Sequence, residues 1–476
     1  MPASDLTLCS AAELATLIRT KQVSPVEATA HFLERIARYN GELNAFITTS
    51  AESAMAQAHR AEAAVIAGEE LGPLHGVPIG VKDLDATKGV RTTYGSILHL
   101  DHVPERDDIV VERIRESGAI IVGKTNTPDF GWKGTTESTA AGACGNPWDP
   151  ALTSGGSSGG SASAVAARLA PICNGSDAGG SIRIPASFCG VYGIKPTAGR
   201  APNDYTRRPG WEPLLQNGPL ANTVRDAAIL LNALAGPDDR DARSLRDAPP
   251  DFAAAARSPR AVGLRVAWSP AMDGQPVDPE VRALTASAVR ALEEAGADVE
   301  EAAPAITTDE AIWTFVTIML TDMSVRLGPI IEAGQGDFLP SLLLKWLTDA
   351  ASWPAARYSQ AMHNLTWHRY WFDRLFDEYD LLATPTMAVP AFPIERNPRA
   401  IDGRDVHPSW GYTPFCLHAN LTGRPAASLP CGFTSEGLPV GLMLTGRPGD
   451  EATLLRASAA FELARPWTQT RPPEFD

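Results

Sequence analysis

Two serines in glycine-rich segments are the residues of this sequence best suited to chemistry. Ser157 lies in GGSSGG, residues 155–160, and Ser181 follows Gly179 and Gly180. Glycines beside a serine permit positive φ and let a ligand approach the main chain closely. A serine hydroxyl is a poor nucleophile at neutral pH, so a catalytic serine needs a base within reach and donors for the oxyanion it creates. The two segments therefore predict a site built for nucleophilic attack.

The residues on either side of Ser181 indicate how an oxyanion could be stabilised. The segment DAGGS, residues 177–181, is typical of a turn that enters a helix and aims consecutive amides at one point. Losing one such donor typically costs about 100- to 1,000-fold in rate. No histidine lies near either serine in the sequence, which argues against a local Ser-His pair. We interpret Asp177 and Arg183 as a charge pair that braces this loop.

Lys82 is the candidate base. It ends a Gly/Pro-punctuated apolar run, LGPLHGVPIGVKD, at residues 71–83. A lysine accepts a proton only when neutral, and burial disfavours the ammonium and lowers a reference pKa of about 10.4. A lysine at a strand end is more often solvated, so the run alone leaves its role open.

The chain as a whole resembles the amidase signature family. The matching segments follow one another through most of the sequence: PIGVKD (78–83), VGKTNTPDF (122–130), GNPWDP (145–150), GGSSGGSASAVAA (155–167), SDAGGSIRIPASFCGVYGIKPT (176–197) and LPCGFTSEGLPVGLMLTGRP (429–448). The resemblance implies a triad of Lys82, Ser157 after a cis peptide bond, and the nucleophile Ser181. It also implies an oxyanion hole formed by the amides of Ala178, Gly179, Gly180 and Ser181.

The activity implied by the resemblance is hydrolysis of a carboxylic amide. Ser181 would attack the carbonyl, Ser157 would relay its proton to Lys82, and water would hydrolyse the acyl-enzyme. No cofactor and no metal are expected. The triad does not select a leaving group, so an alkyl amide, an anilide, a carbamate (urethane) and an ester all remain open.

The alternation of helices and short apolar strands predicts an α/β fold. The resemblance implies the amidase signature fold, a central mixed, mostly parallel β-sheet flanked by helices on both faces. We expect a single domain over residues 1–476, with core motifs at about 70–235 and 425–465. Ser10-x-x-Glu13 and Ser24-x-x-Glu27 predict capping boxes at the first two helices.

A variable helical region at about 305–380 is expected to contribute the substrate pocket. Ile312, Phe315, Met319 and Met323 recur there at helical spacing. The predicted pocket residues are Phe130, Trp132, Trp313, Met319 and Trp346. Core packing is the alternative for each of them.

Composition restricts the partners and the compartment. Net charge is −15, with 41 basic and 56 acidic residues and no basic run longer than two, so no nucleic acid and no anionic membrane is expected as a partner. The six cysteines are scattered and are typical of reduced thiols in a cytosolic protein. The N-terminal residues lack a signal-peptide pattern, and no run is expected to approach a membrane span. The sequence thus predicts a cytoplasmic monomer or homodimer that acts on a small amide-type molecule.

Three other functions compete with the amidase. An α/β-hydrolase esterase is suggested by two GxSxG matches in residues 155–160, but that fold needs a histidine after the last strands, and His407 and His418 precede them. A glutamine-hydrolysing subunit of a tRNA-dependent amidotransferase would share the triad. Such subunits carry a glutamine-recognising aspartate seven residues before the motif N-L-x-G, where this chain has Thr413. A catalytically silent binding protein would not need a base and a nucleophile together.

One motif in the sequence is interpreted as misleading. Residues 118–125 satisfy the phosphate-loop pattern GxxxxGK[ST]. Their four central residues are apolar and mostly β-branched, which predicts a buried strand rather than a loop with exposed amides.

Overall fold

A large mixed β-sheet is the centre of the computed structural model, which describes residues 6–204 and 214–475. Its eleven strands follow the order β1-β3-β2-β8-β10-β9-β16-β17-β13-β11-β12, so that β1 and β12 form its edges. The strands of the described chain, including six short ones outside this sheet, are β1 Phe46–Thr49, β2 Pro78–Lys82, β3 Ile120–Thr125, β4 Glu137–Ser138, β5 Gly142–Ala143, β6 Gly145–Asn146, β7 Asp149–Thr153, β8 Ile172–Asp177, β9 Tyr192–Lys195, β10 Gln216–Ala221, β11 Arg265–Trp268, β12 Asp298–Glu301, β13 Leu381–Pro385, β14 Ala400–Ile401, β15 Arg404–Asp405, β16 Ala426–Phe433 and β17 Pro439–Gly446.

The sheet is mixed, as expected, but it is not mostly parallel. Of the ten strand pairings described in it, six are antiparallel and four are parallel. The parallel pairs are confined to β3-β2-β8 and β13-β11-β12. Short connections explain part of the excess of antiparallel pairs. Only residues 434–438 join β16 to β17, and two strands joined by so short a connection can pair only in the antiparallel direction.

Helices cover both faces of the sheet. Consecutive residues of the same strand belong to different hydrophobic clusters: Ile121 and Ile172 pack in one, while Ile120 and Cys173 pack in the other. This period of two places apolar side chains on both faces, so each face needs a helical layer. The helices are α1 Ala11–Arg19, α2 Pro25–Leu43, α3 Ala51–Ala67, α4 Ile109–Glu116, α5 Gly159–Ala166, α6 Arg183–Cys189, α7 Val224–Leu234, α8 Phe252–Ala256, α9 Pro279–Glu294, α10 Thr308–Glu332, α11 Ser341–Ala351, α12 Ala355–Phe376, α13 Leu417–Leu421 and α14 Glu451–Ala464.

The two expected capping boxes have different outcomes. At α1, Ser10 and Glu13 form the reciprocal pair, so that prediction is confirmed. At α2 the prediction is wrong, because the Ser24 hydroxyl accepts from the amide of Val26 and also contacts the carboxylate of Glu62.

The phosphate-loop match is a strand, as interpreted. Its last six residues form β3, and the side chain of Lys124 is fully buried. Lys124 Nζ donates to Thr87 Oγ1 at 2.7 Å and to the carbonyl of Asp85. The lysine of this motif therefore supports neighbouring backbone within the protein.

Helices α10, α11 and α12 pack together and form a third hydrophobic cluster beside the sheet. By length and composition, α10 is apolar enough to cross a membrane, which corrects the expectation that no run comes close. Its Phe315, Met319 and Met323 are buried inside the protein, as the core helix of a folded domain requires.

Candidate active site

Lys82 lies at the carboxyl end of β2, inside the protein. Strand β2 runs parallel to β8, so the carboxyl ends of both strands meet at the same edge of the sheet. The Lys82 side chain is fully buried, and its Nζ is 2.8 Å from Ser157 Oγ and 3.1 Å from Ser176 Oγ. Its backbone amide donates to Asn174 Oδ1 at 2.9 Å. The amine of Lys82 is thus fixed against a serine hydroxyl with no room for bulk water.

Ser157 lies in the loop that leads into α5, and the Gly156–Ser157 peptide bond is cis. The main chain is tightly enclosed here, since a Cβ on Gly156 would lie 2.6 Å from the carbonyl carbon of Thr135. A Cβ on Gly131 would lie 3.3 Å from Ser157 Oγ. Glycines at these positions let two loops close around Ser157.

Ser181 lies in the turn between β8 and α6 and lines a small cavity. Its carbonyl accepts from the amide of Ser158 at 3.1 Å, which ties the two glycine-rich segments together. Within residues 6–204 and 214–475, the amides of Ala178, Gly179 and Ser181 have no acceptor. The Gly180 amide instead donates to Asp177 Oδ1 at 2.7 Å. Three of the four predicted oxyanion donors are therefore available to a ligand.

A buried ion pair holds this turn in place. Arg183 donates to both carboxylate oxygens of Asp177, at 2.9 and 3.0 Å, and both side chains are fully buried. Burial alone would raise the pKa of the Asp177 carboxyl, but the Arg183 guanidinium outweighs burial and holds that pKa below its ordinary value. Asn420 of α13 accepts from Arg183 at 2.6 Å and donates to the Asp177 carbonyl at 2.9 Å. The predicted charge pair is present, and Asn420 joins it to the C-terminal part of the chain.

Another buried lysine lies close to this ion pair. Lys195 donates to the carbonyl of Pro196 at 2.8 Å and to Gln216 Oε1 at 3.2 Å. Burial, and next the positive charge of Arg183, lower the pKa of Lys195 to about 7.

The space at Ser181 consists of a small inner cavity and a wide vestibule. The inner cavity has a volume of about 20 Å³ and the vestibule one of about 800 Å³. The inner cavity is lined by Gly131, Trp132, Lys133, Gly134, Gly179, Ser181, Ile184, Phe315, Met319, Trp410 and Thr413. Trp132, Lys133 and Trp410 also line the vestibule, and they therefore mark the boundary between the two spaces.

Aromatic rings form much of this boundary. Trp132 and Trp346 meet edge to face with centroids 5.5 Å apart, and Phe315 and Trp410 do so at 5.4 Å. Trp346 and Trp410 are stacked at 6.2 Å. Phe315 also covers the oxyanion turn, because a Cβ on Gly179 would lie 2.5 Å from its Cζ.

The structure brings three of the five predicted pocket residues to these spaces. Met319 lines the inner cavity, Trp132 lines both spaces and Trp346 lines the vestibule. Phe130 instead lines a separate pocket with His99 and His102. Trp313 is 36% exposed and lies under the guanidinium of Arg357 at 5.3 Å, outside the described cavities.

Several residues of the site were not identified from the sequence. Trp410 lies in an irregular loop, where no helical or strand period marks an inward-facing position. Asn174 and Cys416 contact the site through hydrogen bonds of single atoms, which leave no pattern in the sequence. For Asn420 the only signal was its place in the N-L-x-G segment.

Comparison with known proteins identifies the family of this chain. The sequence model of the Amidase family matches residues 27–455. The chain is 38% identical to a glutamyl-tRNA(Gln) amidotransferase subunit of Moorella thermoacetica, covering 98% of this chain and 99% of that protein. It is 35% identical to an acylamidase of Rhodococcus erythropolis, covering 99% and 98%. The crystal structure of a bacterial aryl acylamidase superimposes with a TM-score of 0.92 at 31% identity, over 98% of each chain. The chain belongs to the amidase signature family and is an amidohydrolase of that family.

Proposed function

We propose that this protein is a free-standing amidase that hydrolyses neutral aryl amides through Lys82, Ser157 and Ser181. The observation that carries the proposal is the buried 2.8 Å contact between Lys82 Nζ and Ser157 Oγ at the site that also contains Ser181. A solvated structural lysine would have no need of such a contact. Three available amides beside Ser181 supply the second requirement, an oxyanion hole.

The reaction proceeds in two acyl transfers. Ser181 Oγ attacks the carbonyl carbon while its proton passes to Ser157, whose own proton passes to a neutral Lys82. When the C–N bond breaks, the proton returns along the same path to the departing amine. Water then attacks the acyl-enzyme ester, gives a proton to the same base, and releases the carboxylic acid and the Ser181 hydroxyl.

The shape and charge of the cavities support a neutral aromatic substrate. Tryptophan rings at the boundary offer flat apolar surfaces on which an aryl amine can pack. Among the described residues, Lys133 is the one charged side chain that lines the inner cavity, and it is paired with Glu137. Two of the relatives named above are an acylamidase and an aryl acylamidase, and activity of the same kind is proposed for this chain.

The competing function is glutamine hydrolysis within an amidotransferase, as the similarity to the Moorella thermoacetica protein requires us to consider. The ammonium group of glutamine needs a carboxylate partner when it is buried. Thr413, at the position expected for that carboxylate, lines the inner cavity and is neutral. In the part of the chain that the structure describes, no acidic side chain lines the inner cavity, so these residues offer glutamine no counter-charge.

A hydrolysis screen tests the proposal. The purified chain and its Ser181→Ala variant are assayed with glutamine, an aliphatic amide, an anilide, a nitrophenyl ester and a carbamate. We expect turnover of the anilide that is lost in Ser181→Ala, and turnover of the carbamate would add urethane cleavage. Turnover of glutamine alone, or activity only after a partner protein is added, would replace this proposal with the amidotransferase function.

We also propose a cytoplasmic location, with a small-molecule substrate and a monomeric or homodimeric state. None of the six cysteines, all of which lie in the described residues, forms a disulfide, and five of them are buried. Thiols of this kind are typical of proteins in a reducing compartment. Gel filtration of the purified chain with light scattering measures the oligomeric state directly.

A further inference from the structure

The main chain of Lys82 is held by a closed ring of hydrogen bonds with two buried residues. The Lys82 amide donates to Asn174 Oδ1 at 2.9 Å, and Asn174 Nδ2 donates to Asp85 Oδ2 at 2.7 Å. The Asp85 amide closes the ring by donating to the Lys82 carbonyl at 3.0 Å. All three residues are fully buried. Both polar groups of the Lys82 main chain are therefore fixed by Asn174 and Asp85.

The ring lies at the point where the regular pairing of β2 with β8 stops. Among the described residues, that parallel register ends at Gly80 and Cys173, two residues before Lys82. On its other side Lys82 still pairs with β3. A buried amide needs an acceptor, and the Asn174 side chain supplies the one that the main chain of β8 does not.

Strand β8 also contacts the other end of the lysine. Asn174 and Ser176 are two residues apart and therefore face the same side of the strand. Ser176 Oγ is 3.1 Å from Lys82 Nζ, and that amine is 2.8 Å from Ser157 Oγ. Because Asn174 anchors the lysine at its amide, loss of this anchor would change the distance between the amine and Ser157.

Lys124, the lysine of the phosphate-loop match, holds the ring from β3. Its Nζ donates to the carbonyl of Asp85 and to Thr87 Oγ1. Asp85 is thus bound at its amide, its carbonyl and its carboxyl group. Buried groups that are hydrogen-bonded to one another in this way form a rigid support, which a catalytic side chain needs if it is to keep its position.

We propose that Asn174 and Asp85 are positioning residues that keep Lys82 Nζ within reach of Ser157 Oγ. In the part of the chain that the structure describes, neither residue lines the inner cavity or the vestibule. They act through Lys82 on the rate of proton transfer and leave substrate affinity unchanged. The inference rests on the triad of the proposed function and adds two residues that support its base.

An alkyl fluorophosphonate tests the inference independently of which amide the protein hydrolyses. Ser181 Oγ forms a bond to phosphorus, fluoride leaves, and the Ser181 proton passes through Ser157 to Lys82. Mass spectrometry of the intact chain follows labelling over time at several reagent concentrations. These data separate the maximal labelling rate from the half-saturating concentration. Ser181→Ala should abolish labelling, which identifies the labelled serine.

Asn174→Leu keeps the approximate size of the side chain and removes both of its hydrogen bonds. The maximal labelling rate should fall about 10- to 100-fold, as expected when a reacting group is misplaced by about 1 Å, at an unchanged half-saturating concentration. Asn40→Leu is the matched control, because Asn40 accepts from the Phe46 amide of β1 at 2.7 Å and donates to the Phe46 carbonyl at 3.0 Å. This control should lose stability and keep its labelling rate.

Exchanging the two side chains of the ring separates positioning from packing. Asn174→Asp removes the donor to Asp85 Oδ2 and sets two carboxyl groups against each other, so the maximal labelling rate should fall. Adding Asp85→Asn supplies an amide that donates to the carboxyl group at position 174. The ring is then restored with its polarity reversed, and most of the rate should return.

A maximal rate in Asn174→Leu or Asn174→Asp within a few-fold of wild type, a loss confined to the half-saturating concentration, or no recovery in the exchanged variant would overturn the inference. Absence of labelling at Ser181 in the wild-type chain would overturn it as well, since Lys82 would then have no activated serine to serve. Melting temperatures identify a misfolded variant, and the exchanged pair decides if Asn174→Leu does not fold. Labelling of Ser181 in a chain that hydrolyses no anilide would support the inference and overturn the proposed function instead.

Discussion

At the scale of single residues, the site depends on contacts that fix one proton-accepting nitrogen. Lys82 is held at both ends, by Asn174 on its amide and by two serines on its Nζ. Replacing Lys82 with alanine would remove both the base and the packing of its aliphatic side chain. A substitution that keeps the length and the charge therefore gives the sharper test.

Lys82→Arg should lower kcat/KM for the anilide by about 100- to 10,000-fold, the range expected when a general base is lost. A guanidinium keeps its proton at any accessible pH and cannot accept one from Ser157. Steady-state kinetics measure the effect, and Lys345→Arg, on an exposed lysine, is the control. Activity within a few-fold of wild type would show that Lys82 is not the base.

The contact between Phe315 and Gly179 gives a second test at this scale. Gly179→Ala would place a Cβ 2.5 Å from Phe315 Cζ, so either the ring or the oxyanion turn must shift. A shift of the turn by about 1 Å should cost on the order of 100-fold in kcat. The double variant Gly179→Ala with Phe315→Leu, which frees space beside the new methyl group, should recover part of the loss. Full activity in Gly179→Ala would contradict a role for this amide.

At the scale of elements, the ion pair between Asp177 and Arg183 couples the catalytic turn to α6 and α13. The two charges are fully buried, and each is stable only beside the other. Asn420 adds hydrogen bonds to both partners from a segment more than 200 residues away in the sequence. The position of the turn therefore depends on correct docking of the C-terminal part of the chain.

Arg183→Met should lower the free energy of unfolding by about 3–5 kcal/mol, because it leaves the Asp177 carboxylate buried without a partner. Chemical denaturation at pH 7 measures the change. The double variant Arg183→Met with Asp177→Asn should be less destabilised than the single variant, since it removes the unpaired charge. A single variant as stable as wild type would show that the pair is not important for the fold.

The elements differ in how well the sequence predicted them. Strand β3 was predicted within residues 118–125, because an apolar, mostly β-branched run is a local signal for a buried strand. Strand β10, QNGPLA, was missed because it contains asparagine, glycine and proline, and its pairing with β8 and β9 makes it a strand. At α2 the capping pattern was present, but the contact between Ser24 and Glu62 depends on tertiary packing.

At the scale of the whole molecule, the family and the mixed sheet were predictable, and the balance of strand directions was not. Segments that matched in order through most of the chain identified the family before any geometry was known. The direction of a strand depends on which strands pair, as β9 with β16 across more than 200 residues, and local sequence does not encode that choice. The same reason explains why Trp410 and Thr413 could not be joined to Ser181 from the sequence alone.

Lys195 should make the stability of the protein increase with pH. Its folded-state pKa is about 7, whereas in the unfolded chain it has the ordinary lysine value of about 10.4. Between these values the unfolded state binds more protons, so the free energy of unfolding rises by up to about 1.4 kcal/mol per pH unit from this group. Denaturation of wild type and Lys195→Met at pH 7, 8 and 9 measures the difference. A difference between the two proteins that does not change with pH would contradict the lowered pKa.

The edge strand β12 has a consequence for the behaviour of the protein in concentrated solution. Asp298, Glu300 and Glu301 are exposed along this strand, which pairs with β11 on one side. An open strand edge is a template for joining other chains, and three carboxylates make two such edges repel each other. Neutralising them by acid or by substitution with threonine would favour self-association through the sheet. The acidic edge thus protects a sheet of eleven strands from growing into an aggregate.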